Sequence, residues 1–350
     1  MDIVFDDIIY SIQKAGGVSE VWSQITLNPP YDTFHITYTD AEKNISYKRY
    51  KNHRYIMCSN HFIFIKRYLN LNIKSRKKYI FHSSYFRASK NKMALNVTTV
   101  HDFIYEYYYR NVKALPHKWQ KRYAVMNSDA VICVSENTKK DLKKFYPDYK
   151  GLIKVIHNGY KEDVYQYRGN LEREKIILYV GSRAFYKRFD LAIELMKMVK
   201  GYQFVIVGGG DLTNVEKNML KSLPKGSYKK EGYLTDDELS ELYNKAYFLC
   251  YPSEYEGFGI PPVEAQACGC IPICQKKSSL VEVLNGTGIE LDTDHLENTA
   301  QKIFQCLDMN VLEKLQKEGR ENAKRFSWDK CRIETYNLYD ELWARRVGDN

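Results

Sequence analysis

The apolar residues of this chain follow two rhythms. Short contiguous runs, at Asp2 to Ile9, Thr33 to Tyr38, Tyr79 to His82, Val97 to Val100 and Ala130 to Val134, have the length and aromatic or β-branched content of buried strands. Between them the spacing changes to three and four residues, first at Val18, Val21, Trp22 and Ile25 behind the Gly16-Gly17 turn, which predicts a helix. Strands alternating with helices imply a parallel sheet covered on both faces.

A second series starts at Ile176 to Val180 and passes through Gly181 into a helix with Leu191, Ala192, Leu195, Met198 and Val199 on one face. Phe204 to Val207 ends in Gly208-Gly209-Gly210, and Thr235 with Glu238 forms a capping box for a helix through Leu239, Leu242, Tyr243 and Ala246. Tyr247 to Tyr251, a glycine and proline loop, a helix over 263 to 268 and a strand at Ile271 to Cys274 complete it. The polar stretch Lys161 to Lys175 lacks apolar periodicity and reads as the linker. The expectation is therefore two doubly wound, Rossmann-like α/β domains, 1–165 and 170–328, with a terminal segment 329–350. Ligands of such sheets sit outside the carboxyl ends of the strands, and the cleft between the two domains is the expected site.

Composition narrows the picture. At 350 residues and 44% hydrophobic, the chain can bury two cores. Its apolar runs fall short of the roughly 20 residues that cross a bilayer, and the opening MDIVFDD carries acids where a signal peptide needs basic residues, so a cytoplasmic protein is expected. The eight cysteines are scattered, which suits reduced thiols. Cys268, Cys270 and Cys274 cluster without a histidine or fourth thiol at zinc-ligand spacing, and they read as buried thiols; no metal is expected. The net charge of +10 is concentrated in residues 1–165, with 27 Lys and Arg against 15 Asp and Glu. Clusters at Lys48 to Arg54 and Lys74 to Lys78 could meet nucleic acid, an anionic membrane or an acidic glycolipid, or form a solvated face. The thirty tyrosines are spread along the chain among aliphatic residues, as core or half-buried positions are, and form no base-stacking series.

The richest segment is Ser253-Glu254-Tyr255-Glu256-Gly257-Phe258-Gly259-Ile260-Pro261-Pro262-Val263-Glu264. Its glycines let the backbone approach a ligand, and its prolines suit the first turn of a helix, where an N–H is not needed. A helix N-terminus seats phosphate, and Glu264, expected in the first turn, can accept hydrogen bonds from hydroxyls. Helix-dipole complementarity alone would account for Glu264 but not for Glu256.

This segment resembles the signature S-x-x-E-G-F-G-x-P-x-x-E-A-x-A-x-G of the family 4 retaining glycosyltransferases of GT-B fold, and every fixed position matches through Ala265, Ala267 and Gly269. The resemblance implies that Glu256 contacts a donor sugar, Glu264 the ribose, and the backbone of Gly257, Phe258, Gly259 and Ile260 the sugar and phosphate. Val180-Gly181-Ser182-Arg183-Ala184-Phe185-Tyr186-Lys187-Arg188 is similar to the loop whose cations bind the diphosphate, which assigns Ser182, Arg183 and Lys187 to the donor, with Arg188 as an alternative partner. An Arg fork and a Lys point charge suit a departing diphosphate independently of that likeness. In the first half, Gly17 lies in a stretch resembling the family's glycine loop, and Thr99-Val100-His101-Asp102 resembles its T-x-H-D element, which places His101 at the reacting carbon and gives Asp102 an orienting or acceptor role. Tyr233 and Leu234 correspond to a loop near the nucleobase. Val134 to Thr138 and Val155 to Gly159 are further landmarks, and Phe326 to Asp329 with the following helix resembles the terminal helix that crosses back to the first domain.

Two further patterns resemble other motifs. Gly208-Gly209-Gly210 follows a middle strand and has Thr213 where a dinucleotide fingerprint needs glycine. Asp292-Thr293-Asp294 mimics a metal-binding D-x-D but precedes a helix, where a cap is expected.

The resemblance implies retaining transfer of a hexose, with no cofactor or metal, from a nucleotide sugar to a saccharide or lipid-linked saccharide. The R-x-x-x-K and T-V-H-D elements are similar to those of mannosyltransferase-like enzymes of surface polysaccharide and lipopolysaccharide synthesis, so GDP-mannose or a related GDP-hexose is the first donor to expect. A glycolipid acceptor implies peripheral contact with an anionic membrane, which the basic half suits; no nucleic acid is expected. A nucleotide-sugar epimerase of the same architecture and a basic nucleic-acid-binding protein are the alternatives, and neither explains Glu256 together with Glu264.

Overall fold

The computed structural model describes residues 1–47, 54–169 and 171–347. The chain forms two compact units, Met1–Asn158 with Trp328–Asn350, and Gly159–Ser327. Of the basic cluster Lys48 to Arg54, only Arg54 lies within the described residues, and Asn170, where the second domain was expected to start, lies outside them.

Unit 1 contains strands β1 (Ile3–Asp6), β2 (Thr33–Tyr38), β3 (Arg54–Cys58), β4 (Tyr79–Ser83), β5 (Ala94–Val100), β6 (Ala130–Cys133) and β7 (Leu152–Val155). All pairs are parallel, in the order β3-β2-β1-β4-β5-β6-β7. Strands β1, β4 and β6 are buried throughout, because helices cover both faces, so the polar residues they carry, Asp6, His82 and Ser83, are buried as well. The last helix, Trp328–Val347, belongs to this unit. Tyr336 Oη donates to the Ile25 carbonyl at 3.1 Å, Tyr31 Oη to Asp340 at 2.6 Å, and Arg346 pairs with Asp129 at 2.6 Å.

Unit 2 contains β8 (Glu174–Val180), β9 (Gln203–Val207), β10 (Tyr228–Glu231), β11 (Ala246–Tyr251), β12 (Ile271–Cys274) and β13 (Ile289–Glu290), parallel in the order β10-β9-β8-β11-β12-β13. Its core joins Ile177, Tyr179, Phe204, Ile206, Phe248 and Ile271 from the sheet to Leu191, Ala192, Leu195 and Met196 from the helix Phe189–Met198. The Thr235 capping box is present, with Thr235 Oγ1 accepting from the Glu238 amide and Glu238 from the Thr235 amide.

The stretch Lys161 to Lys175, expected as a linker, is instead tied into unit 2. Lys161 pairs with Asp236 at 2.6 Å, the Arg168 amide donates to Asn244 at 2.7 Å, and Arg173 donates to the carbonyls of Tyr243 and Cys268. Its polar residues bond to helix ends and turns, so apolar periodicity gives no sign of the packing. Asp292 accepts from the amides of Asp294 and His295, at 3.2 and 3.0 Å, just ahead of the helix Leu296–Gln305. All eight cysteines are free thiols. No helix among the described residues is long and apolar enough to cross a membrane.

Candidate functional site

In unit 2, β9 and β10 lie on one side of β8, and β11, β12 and β13 on the other, so the strand order reverses between β8 and β11. Crossovers leaving in opposite directions open a crevice outside the carboxyl ends of these two strands. Lys187, in the 3₁₀ turn Phe185–Lys187 after β8, reaches across this point. Its Nζ meets Glu256 Oε1 at 2.5 Å and Tyr251 Oη, at the end of β11, at 3.1 Å. The two charged side chains keep 15% and 11% of their exposure, so the pair is mostly withdrawn from water. Such a cation and carboxylate, already desolvated and joined, can each turn to a polar ligand without first shedding water.

Serines hold the loop that follows. The Glu256 amide donates to Ser278 Oγ at 3.0 Å, and Ser279 Oγ donates to the carbonyls of Glu256 and Phe258, each at 2.9 Å. Gly259 takes φ +100°, and a Cβ there would come within 2.9 Å of Leu280 Cδ2, so the turn needs glycine. The helix Ile260–Ala267 begins directly after it, three residues earlier than expected, because Pro261 and Pro262 occupy first-turn positions that need no N–H. Glu264 is therefore the fifth helical residue, not a first-turn residue. It is half-buried near Tyr165 and Tyr243, whose hydroxyls are pushed above their ordinary range first by burial and then by the Glu264 charge. The amides of Gly259 and Ile260 donate to no acceptor among the described residues, which leaves them for a ligand.

Arg183 is placed differently from Lys187. Nε donates to Glu216 at 2.8 Å, Nη1 to the Gly208 carbonyl at 3.0 Å, and Nη2 to the carbonyls of Gly209, Gly210 and Asp211 at 3.0, 3.1 and 2.8 Å. It was expected on a diphosphate, yet here its guanidinium faces the end of β9, on the side of β8 away from β11. Arg188 pairs with Asp190 and with Glu254, at 2.8 and 2.7 Å. Ser182 is exposed, and its carbonyl accepts from Tyr179 Oη at 2.9 Å. Tyr233, which is exposed, and Leu234 follow β10 beside Gly232, whose carbonyl accepts from the Gly208 amide at 3.2 Å. The expected residues of this unit thus share the carboxyl edge of one sheet over four adjacent strands, with Lys187 and Glu256 in direct contact and Arg183 apart from them.

Unit 1 reverses its strand order between β1 and β4. The buried Asp6 ends β1 and accepts from Ser83 Oγ at 2.7 Å and from Arg87, which also donates to Tyr38 Oη at 2.7 Å. Asp7 accepts from Trp22 Nε1 at 2.8 Å and meets His35 Nδ1 at 2.9 Å. Gly17 opens the helix Gly17–Ile25 after β1 and is exposed, with open space where a Cβ would stand. His101 follows β5. Burial pushes its imidazole down to about 4, opposed by Asp102 and assisted by Lys121, so the ring is neutral near pH 7 and can accept a hydrogen bond. Asp102 Oδ1 accepts from the Ile104 amide at 3.0 Å, opening the helix Ile104–Tyr108, while its carbonyl accepts from the buried Lys121, which pairs with Glu106 at 2.8 Å. His82 bridges Tyr339 Oη at 2.6 Å and Thr99 Oγ1 at 2.9 Å, linking the terminal helix to β5, the strand that His101 follows.

Sequence reasoning missed Tyr251, Ser278, Ser279, His82, Lys121 and Tyr339 as parts of these clusters. The Ser-Ser pair ahead of Leu280 was legible as a turn signal; a buried lysine in a helical pattern carries no signal of its own.

Two parallel-sheet Rossmann-like units define a GT-B α/β fold, and comparison with solved structures agrees. Sucrose-phosphate synthase from Thermosynechococcus elongatus superposes with a TM-score of 0.73 at 19% identity, covering 99% of this chain and 100% of that one. The model described as "Glycosyl transferases group 1" matches residues 161–326, and that described as "Glycosyltransferase Family 4" matches residues 37–164. The chain belongs to the family 4 glycosyltransferases of GT-B fold. It is 30% identical over 224 residues to an uncharacterized glycosyltransferase of Methanocaldococcus jannaschii, covering 63% of this chain and 62% of that protein. It is 31% identical over 204 residues to the O-antigen chain mannosyltransferase RfbU of Salmonella typhimurium, covering 56% of each. The matched stretch spans less than two thirds of either relative's length.

Proposed function

We propose that this chain transfers a hexose from a nucleotide sugar to a saccharide or lipid-linked saccharide in surface polysaccharide synthesis, with retention at the anomeric carbon. The observation that carries the reading is the Lys187–Glu256–Tyr251 cluster at the β8/β11 reversal, beside the unpaired amides of Gly259 and Ile260. In the reaction the bond from the anomeric carbon to the diphosphate oxygen breaks and one to an acceptor oxygen forms. The acceptor's proton leaves on the departing phosphate, so no separate base is needed. Lys187 and the Gly259 and Ile260 amides meet charge that grows on the leaving diphosphate. Glu256 accepts hydrogen bonds from the donor sugar and Glu264 from the ribose. Neutral His101 accepts one from a sugar hydroxyl.

A GDP-linked mannose or related hexose is the first donor in this reading, supported by the mannosyl transfer named for the Salmonella relative. Peripheral contact with an anionic membrane is supported by unit 1. Between Glu42 and Asp102 the sequence has no acidic residue, and the segment holding Lys66 and Arg67 exposes Phe62, Phe64, Ile65 and Leu69. Exposed apolar side chains beside cations suit an anionic lipid surface.

The test is incubation with GDP-mannose, UDP-glucose and UDP-N-acetylglucosamine, with and without mannose-terminated acceptors, following nucleoside diphosphate release and product mass. Acceptor-dependent release with an α-linked product from an α-linked donor is the expected result. Epimerised donor without release, or salt-sensitive oligonucleotide binding with no response to any donor, would replace the reading with one of the alternatives.

A further inference from the structure

The three cations of the turn after β8 go to three different places. Lys187 crosses to β11, Arg188 closes on Asp190 and Glu254, and Arg183 reaches back to the end of β9. The Arg183 side chain is only 3% exposed, and its guanidinium donates to one carboxylate and four consecutive carbonyls. Nε and Nη1 each meet one acceptor, and the two hydrogens of Nη2 are shared among three carbonyls. The acceptors are built for it. Gly208, Gly209 and Gly210 take φ values of +77°, +71° and +71°, a left-handed run that only glycine adopts without strain and that turns successive carbonyls onto the cation. A Cβ on Gly209 would overlap Arg183 Nη1 and come within 2.8 Å of the Gly181 carbonyl. Glu216, the fifth acceptor residue, is itself fixed by the Thr213 amide at 2.7 Å at the start of the helix Asn214–Leu220.

We infer that Arg183 is a positioning residue that holds the Gly208–Asp211 loop in shape, and that Lys187 is the cation of this turn that meets the donor diphosphate. The inference rests on the donor reading above and departs from the pairing of both cations with phosphate. Its physical basis is direction: ligands of a parallel sheet lie at the strand-order reversal, toward which Lys187 points and from which Arg183 turns away. The loop that Arg183 holds is bonded through the Gly208 amide to Gly232, next to Tyr233 and Leu234. Releasing it disturbs that region for any nucleotide, whether it carries one phosphate or two.

The ratio of diphosphate to monophosphate affinity separates the two roles. Calorimetric titration would compare GDP with GMP, and UDP with UMP, on wild type, Lys187→Gln, Arg183→Lys, Arg183→Ala and Gly209→Ala. Lys187→Gln is expected to weaken the diphosphate about 10- to 100-fold, the span of one charge-assisted hydrogen bond, and the monophosphate much less. The Arg183 and Gly209 variants are expected to weaken both nucleotides by a common factor, leaving the ratio at its wild-type value. Gly209→Ala matters most here because it keeps every cation while disturbing the cup and its contact with the Gly181 carbonyl. Arg183 variants that lose the diphosphate selectively, while Gly209→Ala keeps the wild-type ratio, would overturn the inference. A second arm needs no ligand: the overlap of a Cβ at position 209 with Arg183 Nη1 disappears once Arg183 is replaced by Ala, so in urea unfolding the Gly209→Ala loss should be smaller in the Arg183→Ala background than in wild type, whereas an equal loss in both backgrounds would count against the strut. Should Arg183→Ala not fold, Arg183→Lys with Gly209→Ala carries both arms. A wild type that binds neither GDP nor UDP would sink the donor reading, with the strut then judged on unfolding alone.

Discussion

Replacing Lys187 by Gln leaves the Glu256 carboxylate without its 2.5 Å partner, in a setting where only 11% of its exposure remains. Removing one member of a buried ion pair typically costs about 3–5 kcal/mol, mostly because a charge is stranded away from water. The residual exposure of both groups puts this pair at the low end, about 3 kcal/mol. Glu256→Gln strands the lysine instead, and Tyr251 Oη at 3.1 Å softens that loss to about 2 kcal/mol. The double variant has no stranded charge and should lose only about 1 kcal/mol, which gives a coupling of about 4 kcal/mol between the sites. For a unit of this size a loss of 3 kcal/mol lowers the melting midpoint by about 6–12 °C. Thermal and urea unfolding of the four proteins forms the cycle. Additive single losses, with a coupling under about 0.5 kcal/mol, would mean that the two side chains are independent and would remove the basis for placing the site here.

Acid should destabilise unit 1 through its histidines. Burial holds His101 at about 4, and His82 and His117 at about 3, all below the ordinary 6.5, so the unfolded chain binds more protons between these limits. Their stabilisation is complete above pH 6.5 and fades as pH falls toward 4 and then 3; a His82→Gln variant should show a shallower acid loss in a pH series of unfolding midpoints, and an unchanged slope would contradict the assignment. On the same grounds the rate should show no acid limb near 6.5 that vanishes in His101→Asn. Tyr339→Phe removes a 2.6 Å hydrogen bond to His82 and should cost about 1 kcal/mol by urea unfolding, and a variant as stable as wild type would mean that the bond contributes nothing. Gly259→Ala forces a side chain into φ +100° against Leu280 and should cost about 1–3 kcal/mol and impair nucleotide binding by calorimetry, whereas unchanged stability would show that the turn tolerates a Cβ.

Legibility in the sequence followed burial. The nine strands read from apolar runs each overlap a strand of the structure, although Asp2 to Ile9 runs past β1 into a helical turn that starts at Ile9, and two of them, Thr33 to Tyr38 and Ile271 to Cys274, share both ends with β2 and β12. The four missed strands, β3, β7, β10 and β13, are the four sheet edges. Edge strands are short or polar, as in Tyr-Lys-Lys-Glu of β10, because one side faces water and polar residues deter pairing with another chain. The Glu256 to Glu264 loop was legible because glycine and proline positions are dictated by backbone geometry, although the prolines let the helix start earlier than its apolar residues suggest. The direction of Arg183 was not legible. A cation next to a glycine turn suits phosphate as well as carbonyls, and only the fold brings Gly208–Asp211 beside it. The three glycines that did not fit a dinucleotide fingerprint have their account in that contact.

The most direct test of the central claim, that a nucleotide diphosphate seats at the β8/β11 reversal, is amide hydrogen exchange with and without saturating GDP, or UDP where GDP does not bind. Exchange should slow at Gly259 and Ile260 and across Ser182 to Lys187. Unchanged exchange there, with slowing elsewhere in the chain, would contradict the account.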